Sequence, residues 1–82
     1  MSLIIFTTHA RLMLSERNLS EEWIWRTIRT PDDKKTGPEG NTHYIKAISE
    51  RDNRYLRVVV NERVEPHRIV TMFFDRRLRR RQ

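Results

Sequence analysis

The run Arg-Tyr-Leu-Arg-Val-Val-Val-Asn, residues 54–61, decides the fold of this chain. Alternate residues of a strand point to opposite faces, so Leu56, Val58 and Val60 share one face and Arg57 lies on the other. Two more strand-like runs flank it, Thr-His-Tyr-Ile-Lys-Ala-Ile-Ser before it and His-Arg-Ile-Val-Thr-Met-Phe-Phe-Asp after it. The turns between the three runs are short and polar, which favours antiparallel pairing of consecutive strands.

The N-terminal half predicts two short helices. Residues 8–17 carry apolar side chains at helical spacing, and Thr7 or Thr8 can cap the first turn. Ser20 can begin a second helix, which Pro31 stops because the residue before a proline is forced out of the helical region.

The other segments complete an α+β architecture. Residues 3–6 form a brief apolar run typical of an edge strand. Residues 31–41 hold both glycines and two of the three prolines, which predicts a mobile surface loop. The predicted order is β-α-α-β-β-β, with both helices on one face of an antiparallel sheet and the second face open. Residues 1–75 form the domain, and residues 76–82 form an arginine-rich tail.

The tail dominates the charge of the protein. It holds five of the 17 basic residues, and the rest of the chain balances 12 basic against 11 acidic residues. Arginine donates in the bidentate geometry that phosphate accepts, so the tail favours a phosphate-bearing partner such as RNA. An acidic protein, an anionic lipid surface or a merely solvated terminus are the alternatives.

Several function classes are excluded by composition. The chain has no cysteine, which rules out disulfides and thiolate metal sites. Its histidines, His9, His43 and His67, lack the spacing of a zinc site, so we expect no metal and no cofactor. No stretch reaches the roughly 20 apolar residues of a membrane span. We therefore expect a cytoplasmic protein without a membrane partner.

Histidine, arginine, lysine and tyrosine remain as groups that can cleave RNA without a metal. His9 lies in the first turn of a predicted helix, where free N–H groups favour an anion, and it is the predicted acid or base. Arg57 would stabilise the phosphate, and Lys46 and Tyr44 share a face of the preceding predicted strand. The predicted nucleic-acid-binding residues are basic side chains of the strands and of the tail: Lys46, Arg68, Arg76, Arg77, Arg79, Arg80 and Arg81.

Each histidine also has a plainer interpretation. His9 can simply cap or pack at the start of the helix, and a histidine alone in its segment does so at least as often as it catalyses. His67 follows a proline in a turn and is expected to be exposed and inert, while His43 at the start of a strand is undecided.

The N-terminal motifs resemble a family of small bacterial domains of unknown function. The resemblance rests on His9-Ala10, on Arg17 eight residues after the histidine, and on Leu19-Ser20, with the strand at residues 56–60 in support. Met13 stands where that family usually has a second arginine, and Asn18 replaces its glycine. The family is similar in element order and size to the RelE-like and BrnT-like toxins of bacterial toxin–antitoxin pairs. That similarity implies a metal-independent ribonuclease, neutralised by an acidic antitoxin, with His9, Arg57 and Tyr44 as active groups.

Three functions are therefore open at the level of sequence. The first is a toxin-type, metal-independent endoribonuclease. The second is a nucleic-acid-binding domain without catalysis. The third is a protein-interaction module, whose last strand pairs with a second copy of the chain or with an acidic partner.

Overall fold

The computed structural model describes residues 3–78, and the α+β class predicted from the sequence is confirmed. The elements in chain order are β1 (Ile4–Phe6), α1 (Thr8–Glu16), α2 (Glu21–Arg29), β2 (Asp33–Thr36), β3 (Thr42–Ile48), β4 (Arg54–Asn61) and β5 (His67–Phe74). A single 3₁₀ turn, Ser49–Arg51, joins β3 to β4. None of the helices in this part of the chain is long and apolar enough to cross a membrane.

The strands form one sheet in the order β1-β5-β4-β3-β2. Three of the neighbouring pairs are antiparallel, but β1 runs parallel to β5, with Ile5 opposite Arg68. The sheet is therefore mixed, where the sequence predicted an antiparallel one. The two helices lie between β1 and the other strands along the chain, so no tight hairpin forces β1 to run antiparallel to its neighbour.

Residues 31–41 are not wholly the surface loop that their composition predicted. Asp33–Thr36 form β2 and pair antiparallel with β3, and the hairpin closes through a hydrogen bond from the Gly37 N–H to the Asn41 carbonyl. Every residue of β2 is exposed. A charged, exposed edge strand has no apolar alternation by which it could be recognised, and such charges protect an edge from further pairing.

The helix ends follow the predicted capping residues. The Thr7 hydroxyl accepts the N–H of Ala10 at 3.0 Å. Asn18, two residues beyond the end of α1, adopts a left-handed conformation with φ of 54°. Ser20 precedes α2 as its N-cap residue, and α2 ends at Arg29 before Pro31.

The hydrophobic core lies between the helices and one face of the sheet. It contains Leu56, Val58 and Val60 of β4, packed with Ala10 of α1 and Ile24 of α2, all of them fully buried. A bulge in β5 opposite Val59 and Val60 inserts one residue. Because an extra residue reverses the alternation, Ile69 and Met72 of β5 both join this core.

The opposite face of the sheet carries neither helix. Arg57, Ile45 and Val59 lie on it, because paired residues of adjacent strands point the same way and each alternates with the core residues of its strand. We call this surface the helix-free face.

Candidate functional site

Five charged or titratable side chains form a continuous hydrogen-bonded chain on the helix-free face. Glu39 Oε2 lies 2.6 Å from His43 Nε2, and His43 Nδ1 lies 3.0 Å from Arg57 Nη1. Arg57 Nε donates to Asp75 Oδ2 at 2.8 Å, and Arg77 Nε donates to Asp75 Oδ1 at 3.0 Å. The members of this hydrogen-bonded chain come from the turn after β2, from strands β3 and β4, and from the residues that follow β5.

The contacts of His43 determine its tautomer. A guanidinium group can only donate, so the Nδ1 atom that faces Arg57 is the acceptor. The hydrogen of the ring is then on Nε2 and is donated to Glu39. In this arrangement His43 is a neutral imidazole, held from one side by a carboxylate and from the other by a cation.

Asp75 anchors the other end of the chain. Its side chain is 2% exposed and accepts four N–H groups, two from the Arg77 side chain, one from the Arg77 backbone and one from Arg57. The hydrogen bonds from Arg77, ahead of those from Arg57, lower the pKa of Asp75 from 3.8 to about 2, although burial acts in the opposite direction. Asp75 therefore holds Arg57 in an ion pair, and the side chain of Arg57 is only 10% exposed.

All of these groups except Glu39 border a cleft of about 420 Å³, which we call the His43 cleft. Its lining includes His43, Arg57, Lys35, Arg77 and the backbone of Gly37. A Cβ atom on Gly37 would collide with the end of the His43 ring, so the glycine lets the turn approach the histidine closely. The cleft combines a neutral imidazole with three cationic side chains and the Asp75 carboxylate that pairs with two of them. Its charge stays positive, which suits proton transfer beside a bound phosphate.

Two of the three predicted catalytic residues lie away from this cleft. Tyr44 points into the core on the helix side of the sheet, and its hydroxyl is hydrogen-bonded to Glu62. Burial, and then this hydrogen bond, raise the pKa of the Tyr44 hydroxyl well above its usual value. His9 is exposed in the first turn of α1, in the layer on that same side. The structure therefore does not bring His9, Tyr44 and Arg57 into one site.

The predicted phosphate-binding residues are dispersed. Lys46 shares the core-side face with Tyr44, and its Nζ donates to the Thr30 carbonyl at 2.7 Å, so it ties β3 to the end of α2. Arg68 is exposed on β5, and Arg76 is exposed just after that strand.

Among the predicted binding residues that the structure describes, only Arg77 lines the His43 cleft. Arg79, Arg80 and Arg81 were also predicted to bind nucleic acid, and they lie outside the described residues.

Sequence reasoning missed His43 and Glu39 as site residues. Arg57 was recognisable because a charge in an apolar strand requires a partner, and Asp75 is the acid that follows the next strand. His43 lies on the face of Arg57 only in the observed register, in which Arg57 pairs with Ile45. A shift by one residue would place Tyr44 there instead. No group of three metal-ligating side chains occurs anywhere in residues 3–78.

The fold and the site define a small α+β domain with helices on one face of a mixed sheet and a histidine–arginine cluster on the other. Residues 6–74 match a family described as a domain of unknown function, DUF4258, and the chain belongs to that family. No curated protein and no solved structure matches the chain significantly. The predicted resemblance to a family of unknown function is thereby confirmed, and an activity has to be argued from the site itself.

Proposed function

We propose that this protein is a metal-independent endoribonuclease of the toxin type, and that its active site is the His43 cleft. The observation that supports the proposal is the position of His43, which contacts both a carboxylate and a guanidinium group at the border of a cationic cleft. Arg57 keeps the role of phosphate ligand that the sequence predicted. His43 takes the role of base in place of His9.

RNA cleavage in this site begins with displacement of one contact. A phosphate of the substrate accepts the Arg57 Nη1–H, which frees His43 Nδ1 to accept the proton of the adjacent 2′-hydroxyl. Glu39 stays bound to Nε2–H, so it holds the ring in the productive tautomer and stabilises the imidazolium ion that forms. Asp75 holds Arg57 in place while the guanidinium group stabilises charge on the pentacoordinate phosphorus.

The reaction that follows is a transesterification. The 2′-oxygen attacks phosphorus, the bond to the 5′-oxygen breaks, and that oxygen takes a proton from the Lys35 ammonium group at the border of the cleft. The products are a 2′,3′-cyclic phosphate and a 5′-hydroxyl. Water later restores the proton of Lys35 and removes that of His43.

The toxin assignment adds a protein partner to the proposal. It draws on the resemblance inferred from the sequence to RelE-like and BrnT-like toxins, which are neutralised by antitoxins. An acidic antitoxin would inhibit this chain by covering the helix-free face, where Arg57, Arg68 and Arg77 carry positive charge.

The test is cleavage of a labelled single-stranded RNA in excess EDTA by the wild-type protein and by three variants. We expect His43→Ala to lower the rate by about 10²- to 10⁴-fold, and Arg57→Gln to lower it by about 10²- to 10³-fold. His9→Ala is the matched control, because it removes an exposed imidazole from the other side of the sheet. Loss of cleavage in His9→Ala with full activity in His43→Ala would restore the site predicted from the sequence.

A specific observation also favours the second candidate, an RNA-binding domain without catalysis. In the structure both ring nitrogens of His43 are occupied, and Arg57 is already ion-paired. Under this alternative the cluster is structural, and RNA binds to the basic surface without turnover. Intact RNA at saturating protein, together with measurable binding, would select it.

A further inference from the structure

Four arginines from four different segments border a second cleft at the end of the sheet where β4 begins and β5 ends. Arg17 follows α1, Arg51 ends the 3₁₀ turn, Arg54 opens β4 and Arg76 follows β5. The cleft has a volume of about 310 Å³ and also includes the ring of Phe74. We call it the arginine cleft.

These four guanidinium groups have no acidic partner within residues 3–78. Some arginines elsewhere are neutralised, such as Arg26, which is bound by Glu22 and Glu50. Arg17 instead donates to the carbonyl of Met72 at 2.7 Å. Gathering unpaired cations around one cavity costs electrostatic energy in the absence of an anion, and a bound anion removes that cost.

An aromatic ring organises two of the arginines. The guanidinium carbon of Arg54 lies 4.7 Å from the centroid of the Phe74 ring, and that of Arg51 lies 5.1 Å from it. Trp23 supports the ring from the helix side, with the two centroids 6.4 Å apart. Phe74 is half-buried. Stacked arginines and a partly exposed ring form a surface of the kind that binds both the phosphates and the bases of a single strand.

The arginine cleft and the His43 cleft each share lining residues with a third cleft. That third cleft, of about 330 Å³, lies between them and shares Arg54, Phe74 and Arg76 with the arginine cleft. It shares Asp75 and Leu78 with the His43 cleft. The shared residues place the three clefts side by side around the end of the sheet, from the helix side to the helix-free face, and the middle one is also lined by Asp52. We call this succession of clefts the path.

We infer that the arginine cleft binds the phosphates of single-stranded RNA, and that the bound strand follows this path to the His43 cleft. The inference rests on the proposed function, because the strand is the substrate of that site. A single strand can bend around the end of a sheet and stack a base on Phe74, whereas a stiff duplex can do neither. An acidic protein segment would use the charge but not the aromatic ring.

The experiment measures binding without cleavage. The probe is a fluorescent 2′-O-methyl RNA of about 12 nucleotides, which has no free 2′-hydroxyl and is followed by anisotropy over a range of salt concentrations. Arg51→Gln/Arg54→Gln is compared with the control Arg29→Gln/Arg63→Gln, which removes the same charge outside the clefts. Arg76→Gln is the third variant, because it touches no cation–π contact and so leaves the packing of Phe74 intact.

We expect Arg51→Gln/Arg54→Gln to weaken binding about ten- to hundredfold and to reduce the salt slope by about 1.4, and the control to change affinity less than about threefold. Arg76→Gln removes one charge and not two, so it should reduce the salt slope by about half as much. Equal losses in the test pair and the control pair would overturn the inference, since binding would then follow net charge alone. Equally tight competition by duplex RNA or by polyglutamate would also overturn it.

Failure of the inference and failure of the proposed function are separable. His43→Ala changes no side chain of the arginine cleft, so it should weaken binding of the uncleavable probe much less than Arg51→Gln/Arg54→Gln does. Absence of cleavage with intact, arginine-dependent binding contradicts the proposed catalysis alone. Full cleavage with unaltered binding by Arg51→Gln/Arg54→Gln contradicts only the path proposed for the strand.

Discussion

Removing either partner of the buried pair Arg57–Asp75 should destabilise the domain, but by unequal amounts. Arg57→Met deletes one of the four N–H groups that Asp75 accepts and leaves the three from Arg77 in place. A hydrogen bond to a charged group contributes about 1.5–3 kcal/mol, so we expect a loss of about 2 kcal/mol. Asp75→Leu leaves the guanidinium group of Arg57, 10% exposed, with His43 as its one remaining hydrogen-bond partner in residues 3–78. A buried charge that has lost its partner lowers the free energy of unfolding by about 3–5 kcal/mol.

These losses are large for a chain of this size. An 82-residue domain has a free energy of unfolding of roughly 4–12 kcal/mol, so Asp75→Leu removes a substantial part of it. The double variant Arg57→Met/Asp75→Leu removes both members of the pair, so it leaves no buried charge without its partner. We therefore expect it to be more stable than Asp75→Leu alone, which is the signature of direct coupling.

Urea unfolding followed by tryptophan fluorescence measures these differences, since Trp23 and Trp25 both pack against the core. The reasoning would be refuted if the losses of the two single variants simply added in the double variant. It would also be refuted if Arg57→Met cost more than Asp75→Leu. Exposed Arg68→Met on the neighbouring strand is the matched control and should change stability by less than about 0.5 kcal/mol.

Three further predictions follow from single groups. The pKa of Asp75 is lowered from 3.8 to about 2, so its contribution of about 2 kcal/mol is complete above pH 3.8 and is lost as the pH falls toward 2. In Asp75→Asn the urea midpoint should therefore fall less steeply between pH 3.8 and pH 2 than it does in the wild type. An equally steep fall would contradict the role of Asp75 in this pH dependence. Tyr44→Phe removes the hydroxyl that donates to Glu62, so it should cost about 1–2 kcal/mol in urea unfolding and leave RNA cleavage intact. A large loss of cleavage would instead support the predicted catalytic role of that tyrosine. Gly37→Ala would crowd the hydrogen bond between His43 and its carboxylate, so cleavage should fall about tenfold or more while circular dichroism and stability stay close to wild type. Unchanged cleavage would show that this hydrogen bond is dispensable.

The strands β3, β4 and β5 were predictable because each carries a long apolar or alternating run, and the helices because Thr7, Ser20 and Pro31 mark their ends. The parallel pairing of β1 was not, since a three-residue run carries no signal for its partner. β2 was not, since its four residues are all exposed. An edge strand that buries nothing on either face leaves no periodic trace in the sequence.

The site was predictable only in part, for a related reason. Arg57 is conspicuous in any register because it interrupts an aliphatic strand. The choice between His43 and Tyr44 as its neighbour depends on the pairing of β3 with β4, and adjacent residues of a strand lie on opposite faces. The arginine cleft draws on four segments whose residues are distant in sequence, so only the tertiary fold brings its charges together.

The measurement that tests the central claim most directly compares two substrates of one sequence, an RNA and its uniformly 2′-deoxy counterpart, in excess EDTA. The account predicts that wild-type protein cuts the RNA to 2′,3′-cyclic phosphate and 5′-hydroxyl ends, leaves the deoxy strand intact, and loses this activity in His43→Ala. Cleavage of the deoxy strand, or cleavage of RNA that survives His43→Ala unchanged, would contradict catalysis by the His43 cleft.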